Sequence, residues 1–304
     1  MSTTTNNHDE TNKSFLSQVE IYGHKELVDK FSKITREDID RLSSSKNPHN
    51  RYSISVAKTH EAQKLNRYTD VIPFDYNRVK LSTKRPSKTD YINASFIEAP
   101  NKVRRYIAAQ GPLQETIDDF WLMVWEQNSR VIVMLTKEIE KGSPKCIRYW
   151  PSQKDQPIES SVTGLKVSLE SETLDPDTSC WPDHGVPDSP DIVLQLIRKT
   201  NELQQEYQNR QNIGRNDREK EEVGPVVVHC SAGCGRTGTF CTIDSALALL
   251  QDMHDKSSDL IYSLVQYFRE QRTHMVQTLS QYQYCYLVVL RKLALDSGSV
   301  VSSR

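Results

Sequence analysis

A chain of 304 residues is long enough to bury one large hydrophobic core, and 39 Lys and Arg against 40 Asp and Glu leave a formal charge of −1. Such near neutrality gives no global reason to expect nucleic-acid or membrane-surface binding. No apolar run reaches the roughly 20 residues that span a bilayer, and the opening "MSTTTNNHDETNKS" holds no apolar signal-peptide core. Six cysteines, at 146, 180, 230, 234, 241 and 285, are too scattered for a disulfide scaffold. The simplest expectation is a reduced, intracellular monomer, cytoplasmic with nuclear access open to it.

Residues 1 to 13 are Thr, Asn and charge and read as a disordered tail. "KELVDKFSKITREDIDRL" has helical spacing and predicts an amphipathic helix. From "NRYTDVIPFDYNRVKL" onward, short β-like runs alternate with turns, first "DYINASFIEA" and then "RRYIAAQG". "QETIDDFWLMVWEQ" predicts a helix with Ile117, Phe120, Trp121 and Val124 on one face. "VIVMLT" reads as a fully buried strand. "IVLQLIRKTNELQQEY" is a helix running into the polar surface segment "QNRQNIGRNDREKEE". "PVVVH" is a second buried strand, and the helix that starts near Arg236 turns Phe240, Ile243, Leu247 and Leu250 inward. Two further helices close the chain, and "QYQYCYLVVLRKL" buries Tyr282, Cys285, Tyr286 and Val289. Residues 296 to 304 are a short polar tail. No repeat or linker divides the body, so residues 14 to 295 are expected to form one α/β domain.

The chemistry concentrates in "VVVHCSAGCGRTGTF", residues 226 to 240. A strand that ends, turns through Gly-rich backbone and enters a helix points several N–H groups and a helix dipole at one spot, which is an anion site. Gly233, Gly235 and Gly238 are expected to let the backbone curl closely around a phosphate. Arg236 can grip two phosphate oxygens with its planar fork. A thiol inside that positive cup loses its proton readily, which makes Cys230 a candidate thiolate nucleophile. Cys-x5-Arg alone is weak, and two plainer readings stand beside it. One is a buried, inert thiol at a tight turn; the other is a Cys230/Cys234 metal pair, for which no second ligand pair lies nearby.

"HCSAGCGRTG" resembles the signature of the cysteine-dependent protein tyrosine phosphatases of non-receptor type. Residues 14 to 295 are similar to that domain, most like its fungal members. "NRYTDV", "DYINASFI", "QGPL", "FWLMVWEQNSRVIVML", "KCIRYWP", "WPDHGVPDSP" and "QTLSQYQ" support this in their joint order. The resemblance implies a highly twisted mixed β-sheet flanked by helices. It also implies hydrolysis of phosphotyrosine in proteins through a cysteinyl-phosphate, in intracellular signalling, with protein kinases among the candidate partners. No metal or organic cofactor is implied.

Site residues follow from the same resemblance. The loop "CWPDHGVP" is expected to close over substrate and bring Asp183 to the leaving phenolate as general acid, help worth about 10²–10⁴-fold. Trp181 and Pro182 are its hinge and anchor; alone, the stretch would be an ordinary surface turn. Gln277 and Gln281 match a pair that positions water, though by themselves they read as solvated helix residues. Tyr68 is implied to be the wall against which a phosphotyrosine ring stacks, rather than an ordinary strand aromatic, and Asp70 the clamp for a substrate backbone N–H. Thr69 stands where some relatives carry a basic residue. Glu140 is expected to pair with Arg236, and Lys145 to reach Asp183 or substrate; either could be a solvated loop charge. His229 is expected to tune the thiolate, Thr237 to aid breakdown of the intermediate, and Ser231, Ala232, Gly233, Cys234 and Gly235 to supply backbone donors. Cys146 packs near the site. The rival readings are a non-catalytic phosphotyrosine-binding module and a dual-specificity phosphatase, which would lack the "NRYTDV" wall.

One region departs from the pattern. Relatives carry two strands between the "YWP" motif and the "WPD" loop, whereas "GLKVSLESETLDPDTSCWPDHG" offers one strand and then an acidic, Pro-containing loop. A loosely anchored Asp183, contributing less than a well-placed acid, is the expectation that follows.

Overall fold

The computed structural model describes residues 23–82, 89–160, 162–173, 181–214, 221–252 and 259–297. The predicted tail at 1–13, Cys180, and positions 298–304 of the predicted C-terminal tail lie outside them.

Helix α1, His24–Ser44, is followed by strands β1 (Arg78–Lys80), β2 (Tyr91–Glu98) and β3 (Arg105–Ala109). Helix α2 (Ile117–Glu126) leads to β4 (Ile132–Met134). Two small hairpin ladders come next, β5 (Ile139–Glu140) with β6 (Ser143–Pro144) and β7 (Ile158–Glu159) with β8 (Lys166–Val167). Helix α3 (Pro190–Gln211), strand β9 (Val226–His229) and helices α4 (Gly235–Asp252), α5 (Leu260–Arg269) and α6 (Leu279–Asp296) complete the described chain. The main sheet has the order β1-β2-β3-β9-β4. Its β1–β2 and β2–β3 pairs are antiparallel, while β9 runs parallel to both β3 and β4. The expected mixed α/β sheet with helices on both faces is therefore present.

Alternation along the strands sorts their side chains into two cores. Tyr106, Ala108, Val226 and Val228 face the larger one, with Phe240, Ile243, Leu264, Phe268, Tyr282 and Val289 from α4, α5 and α6. Ile107, Ala109 and Val227 face the other, with Phe120 and Met123 of α2. β9 can be apolar throughout because both of its faces are covered. Its last residue, His229, lies opposite Ala109 on one side and Met134 on the other. Cys230 therefore emerges at the carboxyl ends of three parallel strands, where open α/β sheets place their ligands.

Two elements differ from expectation, and a third matches it. α2 buries Asp119, Phe120, Leu122 and Met123, leaving Ile117, Trp121 and Val124 half-buried. A helix this apolar has little polar face to fix its rotation. Trp121 turns aside to donate its Nε1–H to Tyr149 O at 2.6 Å. β4 alternates instead of burying every residue, because it is the edge of the sheet. The single strand expected in "GLKVSL" is β8, which pairs back on β7; residues 168–173 carry no strand, and 174–180 lie outside the described residues.

Candidate active site

The loop from Cys230 to Gly235 is shaped by what holds its carbonyls. Ser231 O accepts from Gly111 N at 2.9 Å, and Cys234 O accepts from Gly238 N at 2.7 Å. Ala232 O and Gly233 O accept from Nη2 and Nε of Arg272 at 2.9 and 2.7 Å. Arg272 is fully buried and fixed by Asn93 Oδ1 and Ser95 Oγ. With the carbonyls tied outward, the intervening N–H groups turn toward the concave side. Gly233 makes the bend at φ +73°, where a Cβ would sit 2.1 Å from Ala109 O.

Cys230 lies at the floor of this cup, and Gly233 N donates to its Sγ at 3.3 Å. Burial opposes ionisation of the thiol, but the Arg236 charge and hydrogen bonds from Thr237 and Cys234 N–H outweigh it and hold its pKa below the ordinary 9.0. Thr237 Oγ1 is buried without any partner of good hydrogen-bond geometry, so the sulfur is the group its hydroxyl serves. The other described cysteines go the opposite way. Burial pushes Cys146 and Cys234 up to about 12, and Cys241 and Cys285 higher.

His229 reaches Cys230 through the backbone of that cysteine. It is fully buried, donates Nδ1–H to Cys230 O at 3.1 Å, and accepts at Nε2 from the Tyr149 hydroxyl at 2.8 Å. Burial lowers its pKa to about 4. It is thus a neutral ring that fixes the loop backbone and puts no charge beside the sulfur.

Arg236, 2 % exposed, spreads its fork between two carboxylates. Nη1 and Nη2 donate to Glu140 at 2.6 and 3.3 Å, Nη1 also to Trp181 O at 3.0 Å, and Nη2 to Asp183 Oδ1 at 3.0 Å. Glu140, on β5, is itself held by Thr136 Oγ1 and Lys137 N. Lys145, just past β6, donates to Asp183 Oδ2 at 2.7 Å. Burial opposes ionisation of Asp183, yet the Lys145 hydrogen bond and the Arg236 charge hold its carboxyl below the usual range.

The acid loop is docked, contrary to the loose tether expected. Trp181 is buried against Tyr284, ring centroids 6.2 Å apart, and its Nε1 donates to Gly185 O at 3.0 Å. Thr278 Oγ1 reaches His184 O at 3.3 Å. These bonds fasten the described part of the loop, from Trp181 to Gly185.

A cleft of about 250 Å³ opens above Cys230. Tyr68, Asp70, Lys145, Asp183, Cys230, Ser231, Ala232, Cys234, Gly235, Arg236, Gln277 and Gln281 line it. Glu140, Gly233 and Thr237 stand behind Arg236, in the loop and beneath the sulfur, and Cys146, Trp181, Pro182, His229 and Gly238 lie outside the lining as well. Tyr68 sits in an irregular segment and not a strand; its hydroxyl lies 2.9 Å from Ser231 Oγ, which in turn donates to Lys145 O at 3.1 Å. Asp70 is exposed at the rim. Gln281 Oε1 accepts from Gln277 N at 2.9 Å and Thr278 N at 3.3 Å, capping α6. Of the three loop glycines, only Gly233 shapes the cup. A Cβ on Gly235 would meet the Gln277 and Gln281 oxygens at 3.1 Å, and one on Gly238 would lie 2.3 Å from Val276 N. Those two make room for the glutamine loop. Arg272 was not legible as a functional residue, because nothing in "EQRTHMV" separates it from a surface charge.

The Protein-tyrosine phosphatase family model matches residues 62–180 and 177–291. Its two stretches meet at 177–180, within the segment that departs from the sequence pattern. Human tyrosine-protein phosphatase non-receptor type 12 is 36% identical over 271 residues, which are 82% of this chain and 33% of that protein. Mouse receptor-type tyrosine-protein phosphatase C is 37% identical over 257 residues, 76% of this chain and 18% of that protein. The chain thus spans a third or less of the length of these relatives. Among solved structures, PTPN18 in complex with HER2 phosphopeptides superposes with TM-score 0.77 at 33% identity, covering 93% of this chain and 99% of that one. The catalytic domain of human protein tyrosine phosphatase non-receptor type 18 gives TM-score 0.72 at 30% identity with the same coverage. With matched residues spread over both cores and the whole cleft, the chain belongs to the protein tyrosine phosphatase family.

Proposed function

We propose that this chain is a protein tyrosine phosphatase domain, spanning residues 14–295, of non-receptor type. Cys230 attacks phosphorus as a thiolate, and the tyrosine oxygen leaves with a proton from Asp183. Arg236 and the N–H groups of residues 231 to 235 hold the equatorial oxygens while charge builds on them. Glu140 holds the Arg236 fork and Lys145 holds Asp183. Gln277 and Gln281 then place a water that splits the phosphocysteine, with Asp183 taking its proton and Thr237 easing the departing thiolate. Tyr68 walls the cleft against an aryl ring, and Asp70 at its rim takes a substrate backbone N–H.

The single observation that carries this reading is the pairing of a depressed Cys230 thiol with the Arg236 fork in one cleft. Arg236 Nη2 now holds Asp183, and an incoming phosphate takes that place and frees the carboxylate to receive a proton. The substrates are phosphotyrosine proteins, protein kinases among them; the PTPN18 phosphopeptide complexes support this choice by likeness. Likeness to the non-receptor relative supports a cytoplasmic location, and among the described residues no helix is long and apolar enough to cross a membrane; monomeric state and nuclear access rest on the sequence alone. The placement nearest fungal members rests on the wording of the motifs alone. Phosphate release from a phosphotyrosine peptide by the purified chain, against a phosphoserine peptide of the same sequence, tests the reading. Equal turnover of both, or of neither, would overturn it.

A further inference from the structure

The residues just before Gln277 adopt a backbone they would not choose alone. His274 and Val276 have φ of 58° and 59°. Val276 is β-branched, and such a side chain stays in the left-handed region only where neighbours enforce it.

The enforcement comes largely from α1. Asp38, 1 % exposed, accepts at Oδ2 from Thr273 Oγ1 at 3.2 Å and His274 N at 3.0 Å, with His274 Nδ1 at 3.4 Å. Its Oδ1 takes Arg41 Nη1 at 3.1 Å, and that nitrogen also reaches Arg269 O at 3.2 Å. Arg269 lies 3.8 Å from Asp38 and donates to Met275 O and Val276 O at 2.9 and 2.7 Å. Its guanidinium lies over Phe31 of α1, 5.2 Å from the ring centre. From the opposite side, Val276 N donates to Cys234 O at 3.3 Å. The loop is therefore clamped between α1 and the phosphate cup, and Gln277 is the next residue out.

We propose that Asp38 is a positioning residue for Gln277. Acting through Thr273, His274 and Arg269, it holds residues 273 to 276 in the shape that presents Gln277 to the phosphocysteine. Helix α1 lies upstream of residues 62–291, the stretch the family model matches, yet it becomes part of the apparatus for the second half of the reaction. This rests on the reading that Gln277 and Gln281 place the water. Cys230, Arg236 and Asp183 make no contact with Asp38, so the first half should be spared.

Kinetics separate the halves. kcat/KM contains only steps through formation of the phosphocysteine, whereas kcat also contains its hydrolysis. In the full chain, Asp38→Asn keeps the shape but removes the charge facing Arg41 and Arg269. With an aryl phosphate that has a good leaving group, kcat should fall about 10- to 100-fold, the scale of a misplaced reacting group. kcat/KM should stay within about threefold, and rapid-quench traces should show a leaving-group burst near one per enzyme. Thr273→Val, which removes one loop bond and leaves the ion pairs intact, should give the same pattern more weakly and decides the matter if Asp38→Asn fails to fold. A folded variant in which kcat and kcat/KM fall together, or in which neither moves, overturns the proposal. A parent chain that forms no phosphocysteine would instead overturn the function itself, and a bursting parent keeps the two failures apart.

Discussion

At the scale of single residues, the site divides its work between a sulfur and a guanidinium, and each can be removed alone. Cys230→Ser keeps the cup but cannot ionise, so turnover should disappear while a phosphotyrosine peptide still binds. Steady-state rates beside peptide titration check this, and residual turnover within about tenfold of the parent would remove Cys230 as nucleophile. Arg236→Lys keeps the charge but loses simultaneous contact with Glu140 and the transferring oxygens, which should cost about 10²–10³-fold in kcat. A nearly silent Arg236→Lys would move the phosphate elsewhere. His229 carries a pH dependence of stability. Its pKa falls from 6.5 free to about 4 folded, so the unfolded chain binds a proton the folded one does not between those values. The contribution is fully present above pH 6.5 and is lost as pH falls toward 4, by up to about 3 kcal/mol. Urea unfolding of the parent and of His229→Gln at pH 7 and pH 5 should show the parent losing more; equal losses would exclude a buried neutral ring.

At the scale of elements, the loop from Trp181 to Gly185 decides how much the acid matters. Because it is docked through Arg236, Lys145, Thr278 and Trp181 itself, Asp183→Asn should cost the full 10²–10⁴-fold expected of a well-placed acid on phosphotyrosine. A substrate with a leaving group that needs no proton should lose far less. Comparable losses on both substrates would mean that Asp183 only holds Arg236. Gly238 offers a second test, since Gly238→Ala drives a Cβ into the backbone at Val276. Thermal unfolding should report destabilisation of more than about 1 kcal/mol, in the range of overpacked cores. The elements differ in how far they could be read from sequence. The VVVH strand and the helix after it were legible because continuous apolar burial and a Gly-rich turn are local signals. The rotation of α2 was not, since "IDDFWLMVWE" is apolar on nearly every side and only the position of Tyr149 settles it. Gly235 and Gly238 read as phosphate-binding glycines because sequence spacing cannot say which backbone approaches them.

At the scale of the whole molecule, the cleft is assembled from distant parts of the chain: Tyr68 from an irregular segment, Lys145 beside a small hairpin, Asp183 from the acid loop and Gln277 beside α6. Long-range closure of this kind explains why motif order revealed the family while Arg272 and Asp38 stayed hidden. Apart from Arg41, three residues from Asp38, their partners lie far away in sequence, and no local pattern marks a buried charge. An oxyanion that binds only this assembled cleft should stabilise the whole fold. Vanadate at about 100 times its Kd should add about 2.7 kcal/mol and raise Tm, an effect Arg236→Lys should largely remove. An unchanged Tm in the parent would show that the cleft is not the anion site. The outward-tied carbonyls of residues 231 to 234 carry a last consequence. A loop fastened to Gly111, Gly238 and Arg272 has already surrendered its conformational entropy during folding, so an arriving oxyanion finds nothing left to order. Calorimetry of oxyanion binding should therefore report a small entropic penalty in the parent and a larger one once Arg272 is shortened, with affinity lost through disorder even where every donor remains.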